Sequence, residues 1–213
     1  RGALELISMP EIAAAVGGKM KILVDGGILI LPGLLRRNPS AGASTLEILD
    51  YGGVLTTDSY AVMPILKNTI TVELHGKAME IRPTTKPTGT INAVEATFTG
   101  AGALLLDSTV APLTLAGDLS GVTNVIVQSG KLVLQDAAVD TLGQSDVSLD
   151  RAAATLSIAG TATIDGLYLD GVQARQGLYG KGIAPKAKFL APIESGFLDV
   201  KDGLPPGGIF IVR

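Results

Sequence analysis

"ILVDGGILIL" at residues 22–31 is a pair of short apolar runs joined by an Asp-Gly-Gly corner, and the chain repeats that phrase three more times. "LEILDYGGVLTT" (46–57), "TVELHGKAMEI" (71–81) and "EATFTGAGALLLD" (95–107) keep the same order of strand, small corner and strand. Side chains alternate across a strand, so one inward residue can be taken from each. Ile22, Leu46, Ile70 and Val94 then follow one another at equal intervals. The second strands start inward at Ile28, Val54, Met79 and Leu104, and their intervals are nearly equal too. Both series advance by about 25 positions per unit, and a sustained period of that size marks a repeat architecture, in which each unit buries its apolar face only by stacking on its neighbours.

Helical repeats need long stretches of 3.6-residue periodicity, whereas these runs are short, alternating and closed by Gly. The units are therefore strands. The loops that close each unit, "PGLLRRNPSAGAS" (32–44), "DSYAVMPILKN" (58–68) and "PTTKPTGTIN" (83–92), all contain Pro, which breaks pairing and fixes a bend. An antiparallel sandwich is the competing reading, because Asp-Gly between strands also describes a hairpin. A sandwich, however, imposes no equal spacing on its hairpins. Past residue 100, "APLTLAG" (111–117), "NVIVQSGKLVLQD" (124–136), "DVSLD" (146–150), "ATLSIAG" (154–160) and "TATIDG" (161–166) continue the strands. Val125 follows Val94 at a longer interval than the earlier ones, which suggests an inserted strand or a lengthened coil.

"LSGVTNVIVQSGKLVLQD" (119–136), "LSIAGTATIDGLYLDGVQARQGLYG" (156–180) and "ESGFLDV" (194–200) resemble the passenger-type, autotransporter-associated β-strand repeat proteins of bacterial surfaces. Leu169, Asp170, Gly171 and Val172 match that family's terminal "LDGV". Gly177, Tyr179 and Gly180 match the "GTYG" that follows, and Gly196, Leu198 and Val200 match the last "G.L.V" strand. The resemblance covers roughly residues 110–200 and implies a right-handed parallel β-helix in a secreted, extracellular or cell-surface setting. The chain has no β-barrel translocator and is short for that family, so a small secreted subunit is expected. Arg1 in place of an initiator Met fits a removed leader peptide as well as it fits a trimmed chain, and the surface features place the leader reading slightly ahead.

Composition agrees with an aliphatic β-core. Hydrophobic residues make up 46% of the 213 residues but aromatics only 4%, with no Trp. Charged residues are 17% and the mean hydropathy is +0.41, so little charge is available to cover a monomer's surface. Some apolar surface should be buried between subunits. A net charge of −3, with no basic cluster beyond "LRRN" (35–38), gives nucleic acid no electrostatic footprint. No apolar stretch reaches the ~18 residues of a membrane span. Cys is absent, which excludes disulfides and thiolate metal sites.

Chemistry-bearing constellations are sparse. The single His75, in "ELHGK", sits at the corner equivalent to Asp25 and Tyr51, and no nucleophile motif accompanies it. Asp25, Asp50, Asp107, Asp136 and Asp150 end strands, while Asp165, Asp170 and Asp202 precede Gly, as turn residues do. The alternative for those carboxylates is calcium, or acid–base work on a polysaccharide as in β-helix lyases and glycosidases. Four Tyr, at 51, 60, 168 and 179, offer a sugar cleft little to stack on, and the calcium-binding Gly-rich nonapeptide is missing. "GAGALLLD" (100–107) lacks the Lys and Ser/Thr of a phosphate loop. No catalytic residue, metal or cofactor is expected.

The sequence thus predicts an all-β fold, a right-handed parallel β-helix or β-solenoid over residues 20–202 with about seven coils of ~19–25 residues each. Residues 1–19 form a cap or assembly segment, in which Pro10 and "EIAAAV" suggest a short helix. Residues 203–213 form a jointed linker, "GLPPGG", and a terminal apolar strand. Solenoid ends present unpaired backbone groups. Leu4, Leu6 and Ile7 at one terminus, and Ile209, Phe210, Ile211 and Val212 at the other, are the candidate assembly interface. The expected function is a non-enzymatic structural subunit that self-associates as a homo-oligomer or homopolymer. An adhesin or glycan-binding module, reading a surface glycan, is the alternative, and a β-helix polysaccharide lyase or glycosidase the third.

Overall fold

The computed structural model describes residues 3–5, 11–12, 19–31, 36–37, 45–57, 70–83, 92–180 and 192–203. These residues form a β-solenoid in which successive coils stack in parallel. Four strands, β3 (Lys19–Val24), β6 (Thr45–Asp50), β8 (Ile70–Glu73) and β11 (Thr97–Thr99), build one face and mark four successive turns.

After a Gly-containing corner the chain enters the largest sheet. Its strands are β1 (Ala3–Glu5), β4 (Ile28–Leu31), β7 (Val54–Thr57), β9 (Ala78–Pro83), β12 (Gly102–Leu115), β13 (Val122–Leu134), β14 (Asp146–Leu149) and β16 (Leu167–Leu169), all parallel. The far halves of β12 and β13 bend onto a third face, with β10 (Asn92–Val94) and the first halves of β15 (Ala154–Ile164) and β19 (Ile193–Val200), while the second halves of β15 and β19 turn onto the face begun by β3.

Aliphatic columns run up the inside. Ile22, Ile48, Val72 and Phe98 occupy one column, each paired in register with the next and each buried. Met79, Leu104, Val125, Val147 and Leu167 make a second, and Leu113, Leu132, Leu156 and Ile193 a third. Each such Leu, Ile or Val contributes about 1.5–3 kcal/mol by leaving water. The columns meet in the middle of the coil, so small and branched side chains fill it and few aromatics are needed.

Several sequence expectations are corrected by the register. Ile22 stacks on Ile48, not on Leu46, which pairs with Ile70. A two-residue displacement leaves the inward face unchanged, because side chains alternate with a period of two. Val94 is buried, but in β10 on another face, where it pairs with Leu115. Ile28 is 42% exposed and Val54 is half-buried, because β7 pairs Val54 with Glu80 rather than Met79. That one-residue slip reverses which side chains face inward.

The coils after residue 100 shorten instead of lengthening. Leu104 pairs with Val125, Val125 with Val147 and Val147 with Leu167, so each of these coils uses fewer residues than the one from Ile22 to Ile48. The expected N-terminal helix is not formed where it can be followed. Glu11–Ile12 is a strand, β2, paired in parallel with β5 (Arg36–Arg37). Helix propensity is overridden there by pairing to the next coil. Among the described residues the one helix is α1 (Ala137–Thr141), which buries Ala138 and Val139. Thr141 ties it to the stack, since its Oγ1 accepts the Leu119 N–H at 2.8 Å.

The stack ends differently from the way it proceeds. "LDGV" (169–172) folds β17 (Val172–Gln173) back on β16 as an antiparallel hairpin. Asp170 and Gly171 have φ of 53° and 76°, the left-handed pair that a two-residue hairpin turn requires. On the face above β15, β18 (Gly177–Gly180) runs antiparallel to β19.

Candidate functional site

Two kinds of place can carry function on a solenoid: its lateral surface and its ends. The lateral corner column holds the residues singled out for chemistry. Asp50 is fully buried at the end of β6, and its carboxylate accepts the Gly52 and Gly53 N–H groups at 3.1 and 2.8 Å. Burial pushes its pKa above the ordinary carboxylate value, an effect the two amides and nearby His75 oppose.

His75 has φ 48° and stacks on Tyr51 from the preceding coil, with ring centroids 4.2 Å apart. Its Nε2 lies 3.6 Å from Glu73 Oε1, and the atom is buried without a hydrogen-bond partner. The corner equivalence of Tyr51 and His75 is thus real.

Asp150 serves a turn, its Oδ1 accepting the Ala152 N–H at 2.9 Å, whereas Asp107, expected to end a strand, lies within β12 and accepts from Ser129 Oγ on the next coil. Asp136 adopts φ 51° before α1. Asp170 accepts from Arg151 twice, from the backbone N–H at 2.8 Å and from Nε at 2.6 Å, and these contacts lower its pKa. Among the described residues, no three His, Cys, Asp or Glu side chains converge as a metal site would require. No helix there is long and apolar enough to cross a membrane.

A shallow depression of about 660 Å³ lies on the outside of the last coils, lined in part by Ile126, Gln128, Ser148, Asp150 and Asp170. Its two carboxylates are already engaged, Asp150 by the amide of its own turn and Asp170 by Arg151 of the preceding coil. Of the described tyrosines, Tyr51 is stacked and Tyr179 is buried, its hydroxyl donating to the Arg175 carbonyl at 2.8 Å.

The ends carry the more distinctive surface. Leu4 lies in β1 and pairs with Leu29 of the same chain. Leu6, Ile7, Ile209, Phe210, Ile211 and Val212 lie outside the described residues. Sequence reasoning missed what the described ends expose: Leu23 at 62% and Ile28 at 42% on the first coil, and Val172 at 64% and Leu178 at 40% on the closing strands. β1 and β3 each terminate their sheet, with one backbone edge unpaired among the described strands. The Asp170–Gly171 dipeptide was the available signal for the closing hairpin.

Comparison with protein-family models, with curated proteins and with solved structures returns no match to this chain. The architecture and the surface therefore carry the functional argument.

Proposed function

We propose that this chain is a structural β-solenoid subunit, secreted or held at the cell surface, that joins end to end into a fibre or layer. The observation that carries this reading is where apolar surface is left in water. Of the five exposed large hydrophobics among the described residues, Leu23 and Ile28 flank the first corner, and Val172 and Leu178 sit on the closing strands. The fifth, Tyr51, is covered on one face by His75. Among the described residues, exposed large aliphatic side chains gather on the first coil and the closing strands, which suits contact with other stacks at the ends.

The low charge content supports the same reading, and the likeness of residues 110–200 to bacterial surface repeats supports the extracellular setting. We take the stack as about seven right-handed coils, the hand that parallel crossovers adopt. Contacts of this kind are heterologous and do not close, so they generate open filaments.

Negative-stain microscopy and light scattering of the purified chain over rising concentration test the proposal. Particles of uniform width that lengthen with concentration are expected. A monomer at every concentration would refute it. The depression beside Gln128 and Ser148 favours a second reading, a glycan-binding module, which glycan-array binding by such a monomer would support.

A further inference from the structure

The two ends of the stack run in opposite senses. The face begun by β3 continues upward through β6, β8 and β11, and backbone hydrogen bonds extend it beyond. Phe98 N donates to Asp118 O, Asp165 N to Ser145 O and Asp202 N to Asp165 O, at 2.8, 3.0 and 2.6 Å. β19 enters that last turn, and β18 covers β19. Among the described strands, β3 and β18 are therefore the outermost of that face at opposite ends. β3 runs with the coils and β18 against them.

We infer that the end-to-end joint is an antiparallel ladder between β3 of one copy and β18 of the next, with Ile22 opposite Tyr179 and Leu23 opposite Leu178. This deepens the assembly reading and rests on it. Side-chain parity restricts the register, since residues directly opposite in an antiparallel pair share a face of the sheet, and setting the two exposed leucines opposite each other selects this one. Ile22 and Tyr179 both point inward and are buried at 6% each, whereas Leu23 and Leu178 both point outward into water. Setting Ile22 against Tyr179 continues the interior column and places the two exposed leucines side by side. A one-residue shift would set buried groups against exposed ones.

Charge agrees with the pairing. β3 brings Lys19 and Lys21 and no carboxylate, while β18 reads "GLYG" and carries no charge to repel them. Two copies of β3 meeting each other would instead bring lysines together, a common guard against edge pairing. The partner that fits β3 is thus the opposite end of a second copy of this chain.

The chain has no cysteine, so engineered pairs report without background. Leu23→Cys protein is mixed with Leu178→Cys protein under mild oxidation, with Leu23→Cys plus Val172→Cys as the off-register control and circular dichroism to verify folding. Disulfide-linked dimers are expected from the Leu23/Leu178 mixture, and a ladder of covalent multimers from the double variant. Leu178→Lys should raise the concentration at which particles appear by about tenfold.

Particles that form without Leu23/Leu178 cross-links above the control would overturn this joint while leaving assembly standing. Predominant Leu23–Leu23 cross-links would overturn it in favour of back-to-back ends. Absence of particles in the unmodified chain would remove the assembly reading itself, and the joint with it.

Discussion

The Tyr51 ring lies flat against the His75 imidazole, their planes within 10° of parallel, although a full coil of chain separates them. The pair connects two successive corners across the outside of the stack. Removing either ring should destabilise the corner, and a double-mutant cycle of Tyr51→Ala and His75→Ala should show a coupling of about 0.5–1 kcal/mol. Urea unfolding of the four proteins measures it. Strict additivity would mean that the rings merely lie near each other.

Asp50 should make stability depend on pH in a defined direction. Its folded pKa is raised by burial, so its contribution is fully present below the ordinary Asp value and is lost as pH rises through the raised one. Asp50→Asn keeps an acceptor for the two Gly amides without the buried charge, and should be more stable than the parent near neutrality with a flatter profile. Asp50→Ala leaves both donors without their acceptor and should cost about 1–3 kcal/mol. Thermal melts from about pH 3 to about pH 8 decide this. An Asn variant that retained the parent slope would contradict it.

Gly130 and Gly143 form a matched pair of probes. Gly130 has φ 81°, and a Cβ there would come within 2.0 Å of the Ser108 carbonyl oxygen on the neighbouring coil. Gly130→Ala should cost about 3 kcal/mol or more. Gly143 has nothing within 4 Å of such a Cβ, so Gly143→Ala should stay within about 0.5 kcal/mol of the parent. Equal effects at the two positions would argue against the close coil contact.

Phe98 is fully buried between Val72 and the turn at Asp118–Gly121. Phe98→Ala should cost about 3–5 kcal/mol. In a stack whose coils touch only their neighbours, the loss should be local. Hydrogen exchange should quicken at Ile48 and Val72 and stay near the parent rate at Leu156. Uniform acceleration would point to a globally cooperative core.

Asp170 offers a titration test. Arg151→Ala should raise its pKa only part of the way toward the ordinary Asp range, because the backbone N–H of residue 151, the main cause of the depression, still donates to it while the guanidinium is lost; NMR of the side-chain carboxyl carbon reads the change. Because the folded value is depressed, the pair's stabilisation is present above the ordinary Asp pKa and fades as pH falls through the depressed one. An unchanged titration would show that the ion pair does not persist in solution.

The solenoid was legible because parallel coils stack like on like, so aliphatic columns such as Leu104, Val125, Val147 and Leu167 must recur along the chain. The facing of Ile28 and Val54 was not legible. "ILIL" is apolar on both sides of the strand, so alternation carries no information there, and a pairing slip at Glu80 settled it. The Ala-rich segment after Pro10 read as helix from local propensity, while the pairing of Glu11 with Arg36 depends on a neighbour no local rule includes.

The candidate ends were half legible. Apolar termini drew attention, but Leu23 and Leu178 look like any core leucine until burial is known.

The reversed strands after Leu169 also set how such a molecule can change in length. A duplicated coil inserted before Leu167 finds parallel neighbours above and below and continues every column. On the face of β16, the same coil inserted beyond Leu169 would meet β17 running the other way and could not continue the column, although β19 still stacks in parallel on β15. Growth by duplication on that face is thereby confined to the N-terminal side of the hairpin, which makes Asp170–Gly171 a fixed stop there against which the number of coils is free to vary.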